Sequence, residues 1–128
     1  MNNEKYVKLS KPIIRNGCLE NLDELRIRID HQKPSFNYFY GGSDKGGVYV
    51  YLTPVHRENG MVSQTIDGNT HNMGYKILIK ELGRKSQKQI DIAVERIMPF
   101  AETIGEVYGK GEHVQVYNLI KNAYNSEY

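Results

Sequence analysis

The sequence predicts an α+β fold: an antiparallel β-sheet of five or six strands followed by a C-terminal helix pair packed on one side. Three observations carry that reading. Apolar and polar residues alternate through much of residues 1–84, the period of a half-buried strand. From Ser86 onward the period switches to that of an amphipathic helix. Strands that come first and helices that come last segregate the helices to one side of the sheet. At 128 residues the chain has the size of a single domain, mainly strands over 1–84 and mainly helices over 85–128.

Residues 6–15 have strand-like content but include Pro12, which cannot donate to a ladder, so the reading is an edge strand or one broken at that point. Asn16-Gly17 gives a turn, and residues 19–24 read as a short helical turn or loop. Leu25, Ile27 and Ile29 then alternate with Arg26, Arg28 and Asp30, the clearest strand of the N-terminal half. Lys33-Pro34 closes it. Residues 36–40 and 48–53 are read as the two arms of a hairpin around a glycine-rich loop, 41–47, longer than the favoured two-residue turn. Tyr38, Tyr40, Tyr49 and Tyr51 fall at alternate positions, so each pair shares one side of its strand. Residues 61–66 read as another strand. After the turn at Asp67-Gly68-Asn69, Tyr75, Ile77 and Ile79 alternate with Lys76, Leu78 and Lys80.

In the C-terminal third, Ser86 and Gln89 match a capping box. Ile90, Ala93, Val94, Ile97 and Ala101 recur on one helical face. Pro99 should kink or divide that helix, and Gly109 and Gly111 should stop it. A last helix over about 113–124 would place Val114, Tyr117, Ile120 or Lys121, and Tyr124 on one stripe.

Composition excludes several classes. A net charge of +2 with interspersed signs does not by itself argue for nucleic acid. No run approaches the roughly 18 apolar residues of a membrane span. The start MNNEKYVKLS has no secretory core, so the expectation is a protein of the cytoplasm without a membrane partner. Cys18 is the lone cysteine, which removes an intrachain disulfide and any paired-cysteine site. His31, His56, His71 and His113 match no close-spaced metal motif, and no cofactor is expected. His56 with Glu58 and His71 with Asp67 are the nearest acid-base pairings, and both read more simply as surface hydrogen-bonding groups. Without a nucleophile signature or a carboxylate pair, the chain reads as a binding protein rather than an enzyme.

Arg26 and Arg28 sit on one face of their strand about 7 Å apart. They form either a solvated face or a fork for a phosphate or diphosphate. The 41–47 loop is either a plain flexible hairpin or an anion nest of bare amides. It is not a Walker loop, because Lys45 is followed by Gly46-Gly47 and a strand. Residues 45–52 partly echo an RNA-binding signature, but Gly47 and Leu52 stand where stacking rings are needed. Tyrosine supplies a flat ring with a hydroxyl, arginine grips phosphate, and asparagine reads the polar edge of adenine. The candidate ligand-binding residues are therefore Tyr38, Tyr40, Tyr49, Tyr51, Arg26, Arg28, Arg57, Asn59, Asn69, Thr70 and Asn72. The same tyrosine face would also suit single-stranded nucleic acid, or simply fill an interface.

The stretch 41–60, taken with the small size and the strands-then-helices plan, resembles the phage anti-Thoeris proteins of the first type. The resemblance spans about residues 8–124 and lies in overall layout, so no family ligand set is carried onto individual positions. It implies a homo-oligomer in the host cytoplasm that binds a cyclic ADP-ribose isomer between subunits and holds it uncleaved. The messenger of a bacterial TIR-domain defence would thereby be kept from its effector. Intact capture requires no nucleophile, in agreement with the residue inventory.

Overall fold

The structure, a computed structural model, describes residues 3–14, 21–37, 42–58, 61–62 and 74–126. In chain order the strands are β1 (Glu4–Ile14), β2 (Asn21–Gln32), β3 (Ser35–Asn37), β4 (Gly42–Asp44), β5 (Gly47–Val55), β6 (Arg57–Glu58), β7 (Met61–Val62) and β8 (Tyr75–Glu81). Helices α1 (Gln87–Ile97), α2 (Ala101–Gly109) and α3 (His113–Asn125) follow. Four of the strands make one antiparallel sheet, in the order β1-β2-β5-β8. The others form two short ribbons, β3 with β4 and β6 with β7.

The α+β plan of strands followed by helices on one side holds, with a main sheet of four strands. One expected pairing and one expected element differ. Residues 48–53 pair not with 36–40 but with β2, so that Arg28 faces Tyr51 and Asp30 faces Tyr49. Ladder length explains the choice: β2 offers nine consecutive partners to β5, whereas β3 offers three residues to β4. Residues 21–24 are strand rather than helical turn, because Leu22 and Glu24 find partners in Ile13 and Lys8 of β1. Of the strand read over 61–66, Met61–Val62 forms β7; residues 63–66 lie outside the described residues, as do Tyr38 and Tyr40.

Alternation decides which face is inside. Leu25, Ile27 and Ile29 of β2, with Val50 and Leu52 of β5, are fully excluded from solvent on the helix-covered face. Each contributes roughly 1.5–3 kcal/mol relative to exposure. Val7, Leu9, Ile77 and Ile79 extend that layer across the sheet, and Ile90, Ala93, Val94, Ile97, Ala101, Ile104, Tyr108, Val116 and Ile120 cover it. A slip of one residue would turn this whole set outward.

Each helical segment has a local cause. Ser86 Oγ accepts from the Gln89 amide at 3.3 Å and caps α1. Pro99 does divide the helix: α1 ends at Ile97, Met98–Phe100 form a 3₁₀ turn, and α2 begins at Ala101. Gly111, with φ of +78°, closes α2 in the left-handed region. Its amide bonds to Tyr108 O and the Glu112 amide to Val107 O, a Schellman arrangement. In α3 the buried stripe is Val116, Ile120, Ala123 and Tyr124, spaced i, i+4, i+7, i+8. The expected stripe began two residues early: Val114 and Tyr117 are 74% and 47% exposed.

α2 ends at Gly109, as expected, and the same glycine presses the helix onto β1. The β1–β2 register shifts between Lys8 and Ile13, around Pro12, and α2 fills that irregularity. A Cβ on Gly105 would stand 2.6 Å from Lys8 O and one on Gly109 2.8 Å from the Ser10 amide nitrogen. Ser10 Oγ donates to Glu106 O at 2.6 Å across the same contact. Alanine at either glycine gains about 1 kcal/mol of helix propensity but meets backbone, which cannot step aside. We predict net destabilisation of about 1–3 kcal/mol for Gly105→Ala and for Gly109→Ala in denaturant unfolding. A stabilised variant would show that the helix and strand are not in this contact.

Candidate functional site

Because one face of the sheet is spent on the helices, the side chains of opposite parity collect on the second face. The register lines up one row across all four strands: Glu4 of β1, Arg28 of β2, Tyr51 of β5 and Lys76 of β8. Asp30, Tyr49 and Leu78 form the next row. The arginines and the β5 tyrosines, which the sequence alone leaves on separate hairpins, are thereby neighbours.

Around Tyr51 the contacts are specific. The Arg28 guanidinium carbon lies 5.9 Å from the centre of the ring. The Tyr51 hydroxyl donates to Gln32 Oε1 at 3.1 Å, and Lys76 Nζ donates to the same oxygen at 3.0 Å. Lys76 Nζ also sits 4.9 Å from the Tyr49 ring centre, within cation-π range. Burial pushes the Tyr51 phenol above its ordinary range, against the pull of the Lys76 and Arg28 charges. It is therefore a neutral donor at physiological pH.

The two tyrosines are not equivalent. Their centroids are 6.1 Å apart at 39°, yet Tyr49 is 5% exposed and donates its hydroxyl to Lys45 O at 2.6 Å. Tyr51 is half-buried and keeps accessible ring surface. The arginines differ as well. Arg26 Nη2 is held by Glu4 Oε2 at 2.9 Å, and its Nε is buried without a hydrogen-bond partner, at a cost of about 1–3 kcal/mol. Arg28 is more open and pairs with Asp30 Oδ2 at 2.7 Å. A solvent-exposed pair of this kind is worth about 0–1 kcal/mol, little to give up to a ligand.

Of the eleven residues singled out from sequence, Arg26, Arg28, Tyr49 and Tyr51 are brought together here. Arg57 lies in β6, its backbone opposite Val62. Tyr38, Tyr40, Asn59, Asn69, Thr70 and Asn72 lie outside the described residues. Sequence reading missed Asp30, Gln32 and Lys76. Lys76 carried a signal, its alternation with Tyr75 and Ile77, but only the register shows what it faces. His56 Nδ1 lies 3.4 Å from Asp23 Oδ1. Among the described residues no three His, Cys, Asp or Glu side chains gather as a metal site, and no helix is long and apolar enough to cross a membrane.

A second aromatic cluster sits on the helix side. Tyr75 stacks on Tyr108 at 5.8 Å, and His113 meets both rings edge-on, its Nδ1 3.3 Å from the Tyr75 hydroxyl. These rings fill one another's space and fasten β8 to α2 and α3. Burial raises the phenols of Tyr75 and, much further, Tyr108.

The fold and its second face define a two-layer α+β domain with a mixed aromatic and cationic surface. Comparison with protein-family models, with curated proteins and with solved structures yields no match.

The raised phenols have a pH consequence. An unfolded tyrosine ionises near about 10, before Tyr51, Tyr75 or Tyr108 does in the folded chain, so above that pH the unfolded state binds fewer protons and stability falls as pH rises. Melting temperature should be insensitive to these groups below about pH 9 and decline above about pH 10. Tyr108→Phe should flatten that decline. An unchanged alkaline slope in the variant would show that Tyr108 is not buried as a neutral phenol.

Proposed function

We propose that this protein binds a nucleotide-derived signalling anion on the second face of its sheet and holds it without cleaving it. The observation that supports this most is the Arg28, Tyr51, Lys76 row. A ring with open surface lies between two cations, and Gln32 fixes the hydroxyl of that ring and the ammonium beside it. Tyr51 stacks on the base, while Arg28 and Lys76 hold the diphosphate. Arg26 contributes charge from behind its Glu4 partner. Arg57, Asn59, Asn69, Thr70 and Asn72 are proposed to complete the contacts to diphosphate, ribose and adenine edge, with Tyr38 and Tyr40 as further rings.

Resemblance to the phage anti-Thoeris proteins narrows the nucleotide to a cyclic ADP-ribose isomer. In this reading the protein is a homo-oligomer that blocks TIR-based defence in the host cytoplasm by sequestering the messenger. Sequestration depends on slow release, which burial of a small ligand between subunits provides. No step of bond breaking is assigned to any residue.

The main rival is a single-stranded nucleic-acid binder. It needs successive open rings, and of the two β5 tyrosines only Tyr51 has one. Calorimetry separates the two. A cyclic ADP-ribose isomer should bind at fixed stoichiometry and be recovered unchanged on heating, and Tyr51→Ala should weaken binding by about tenfold or more through lost stacking. Oligothymidylate that binds more tightly with length and loosens steeply with salt would instead support the rival. Wild-type affinity for the isomer in a folded Tyr51→Ala protein would remove Tyr51 from the site.

A further inference from the structure

The cations of the second face already have an anion among them. Asp30 Oδ2 accepts from Arg28 Nη2 at 2.7 Å, and Asp30 Oδ1 accepts from the His31 amide at 2.8 Å, so the carboxylate is oriented from both sides. Burial alone would raise its pKa, but the His31 amide, the Arg28 hydrogen bond and the charges of Arg28 and Lys85 together hold it below the ordinary carboxylate value. Asp30 therefore stays ionised wherever the fold persists near neutrality. Its charge, with those of Lys76 and Arg28, is felt at the Tyr51 phenol. Arg28 grips this carboxylate directly, the charge of Lys85 is felt there, and Lys76 stands in the Arg28 row on the far side of Tyr51.

We propose that Asp30 is the resident counter-ion of a phosphate subsite formed by Arg28, with Lys76 in the same cross-strand row, and that it selects for ligands carrying two or more negative charges. The proposal rests on the reading of the second face as the ligand site. Asp30 competes with any incoming anion for Arg28. A singly charged group brings no more charge than the carboxylate already there and lacks its tether to the strand, so it gains nothing by displacing it. A diphosphate brings more charge and more acceptor oxygens, two of which can engage the planar guanidinium fork at once. Because the Arg28–Asp30 pair is solvent-exposed, displacing it costs little, and the discrimination lies in the charge of the ligand.

The test uses inorganic pyrophosphate and inorganic phosphate as probes, titrated calorimetrically into wild-type protein and Asp30→Asn at one ionic strength and at about pH 5.5, where phosphate is mainly singly charged and pyrophosphate is not. Asparagine keeps an oxygen for the His31 amide, so the strand should remain in place; an unchanged far-ultraviolet dichroism spectrum checks this. Wild type should prefer pyrophosphate over phosphate. Asp30→Asn should bind both more tightly, phosphate by about tenfold and pyrophosphate by less, so that the preference narrows. Arg28→Ala should abolish the gain when combined with Asp30→Asn. Unchanged or weaker phosphate binding in Asp30→Asn, or no binding of either probe by either protein, would overturn the counter-ion role. The outcome is separable from the nucleotide reading: a nucleotide that binds at Tyr51 with no effect of Asp30→Asn sinks only the counter-ion. Tighter pyrophosphate binding with no nucleotide bound sinks only the nucleotide.

Discussion

Everything on the second face depends on the register of the β2–β5 ladder. Leu25, Ile27 and Ile29 opposite Pro54, Leu52 and Val50 commit one side of both strands to the core. The same pairing then leaves Arg28 opposite Tyr51 and Asp30 opposite Tyr49, with no freedom to choose otherwise. The cost of moving by one residue is the burial of several large aliphatic side chains, far more than any ion pair on the far face could return. Hydrophobic burial on one side therefore dictates polar neighbourhood on the other. The row of Glu4, Arg28, Tyr51 and Lys76 is a by-product of core packing that a ligand site can exploit.

The helical layer reinforces this division. α2 meets β1 through Gly105 and Gly109 at backbone contact distance, and the Tyr75, Tyr108 and His113 rings fasten β8 from the same side. Lys121 Nζ donates to Leu78 O at 2.7 Å, tying α3 to the sheet's outer strand. Arg96 reaches from α1 to Tyr124 O at 2.8 Å. With so many ties on one side, a ligand that entered between helices and sheet would have to break close packing. The second face offers charge and ring surface without that cost.

Much of this plan is legible from sequence where a single periodicity dominates. The alternation at 25–30 and 48–53, the Ser86 cap and the Pro99 break all rest on local chemistry, and each appears at the expected position. Partner choice is not local. Residues 36–40 and 48–53 are adjacent runs rich in tyrosine, which suggests a hairpin, whereas the longer ladder with β2 wins. In α3 the residues Val114 and Tyr117 mimic the start of an apolar stripe, and only packing shows that Val116 leads it. The arginines and β5 tyrosines were legible as residue types suited to an anionic nucleotide. That Lys76, Gln32 and Asp30 belong with them required the cross-strand register, which no single run of residues encodes.

The central claim is that a nucleotide-derived anion sits on the sheet face away from the helices. Backbone amide chemical-shift mapping with a cyclic ADP-ribose isomer tests it most directly. The account predicts perturbations concentrated at Arg28, Asp30, Gln32, Tyr51 and Lys76, with the amides of α1 and the second half of α3 unmoved. Perturbations confined to the helices, or none at saturating ligand, would contradict it.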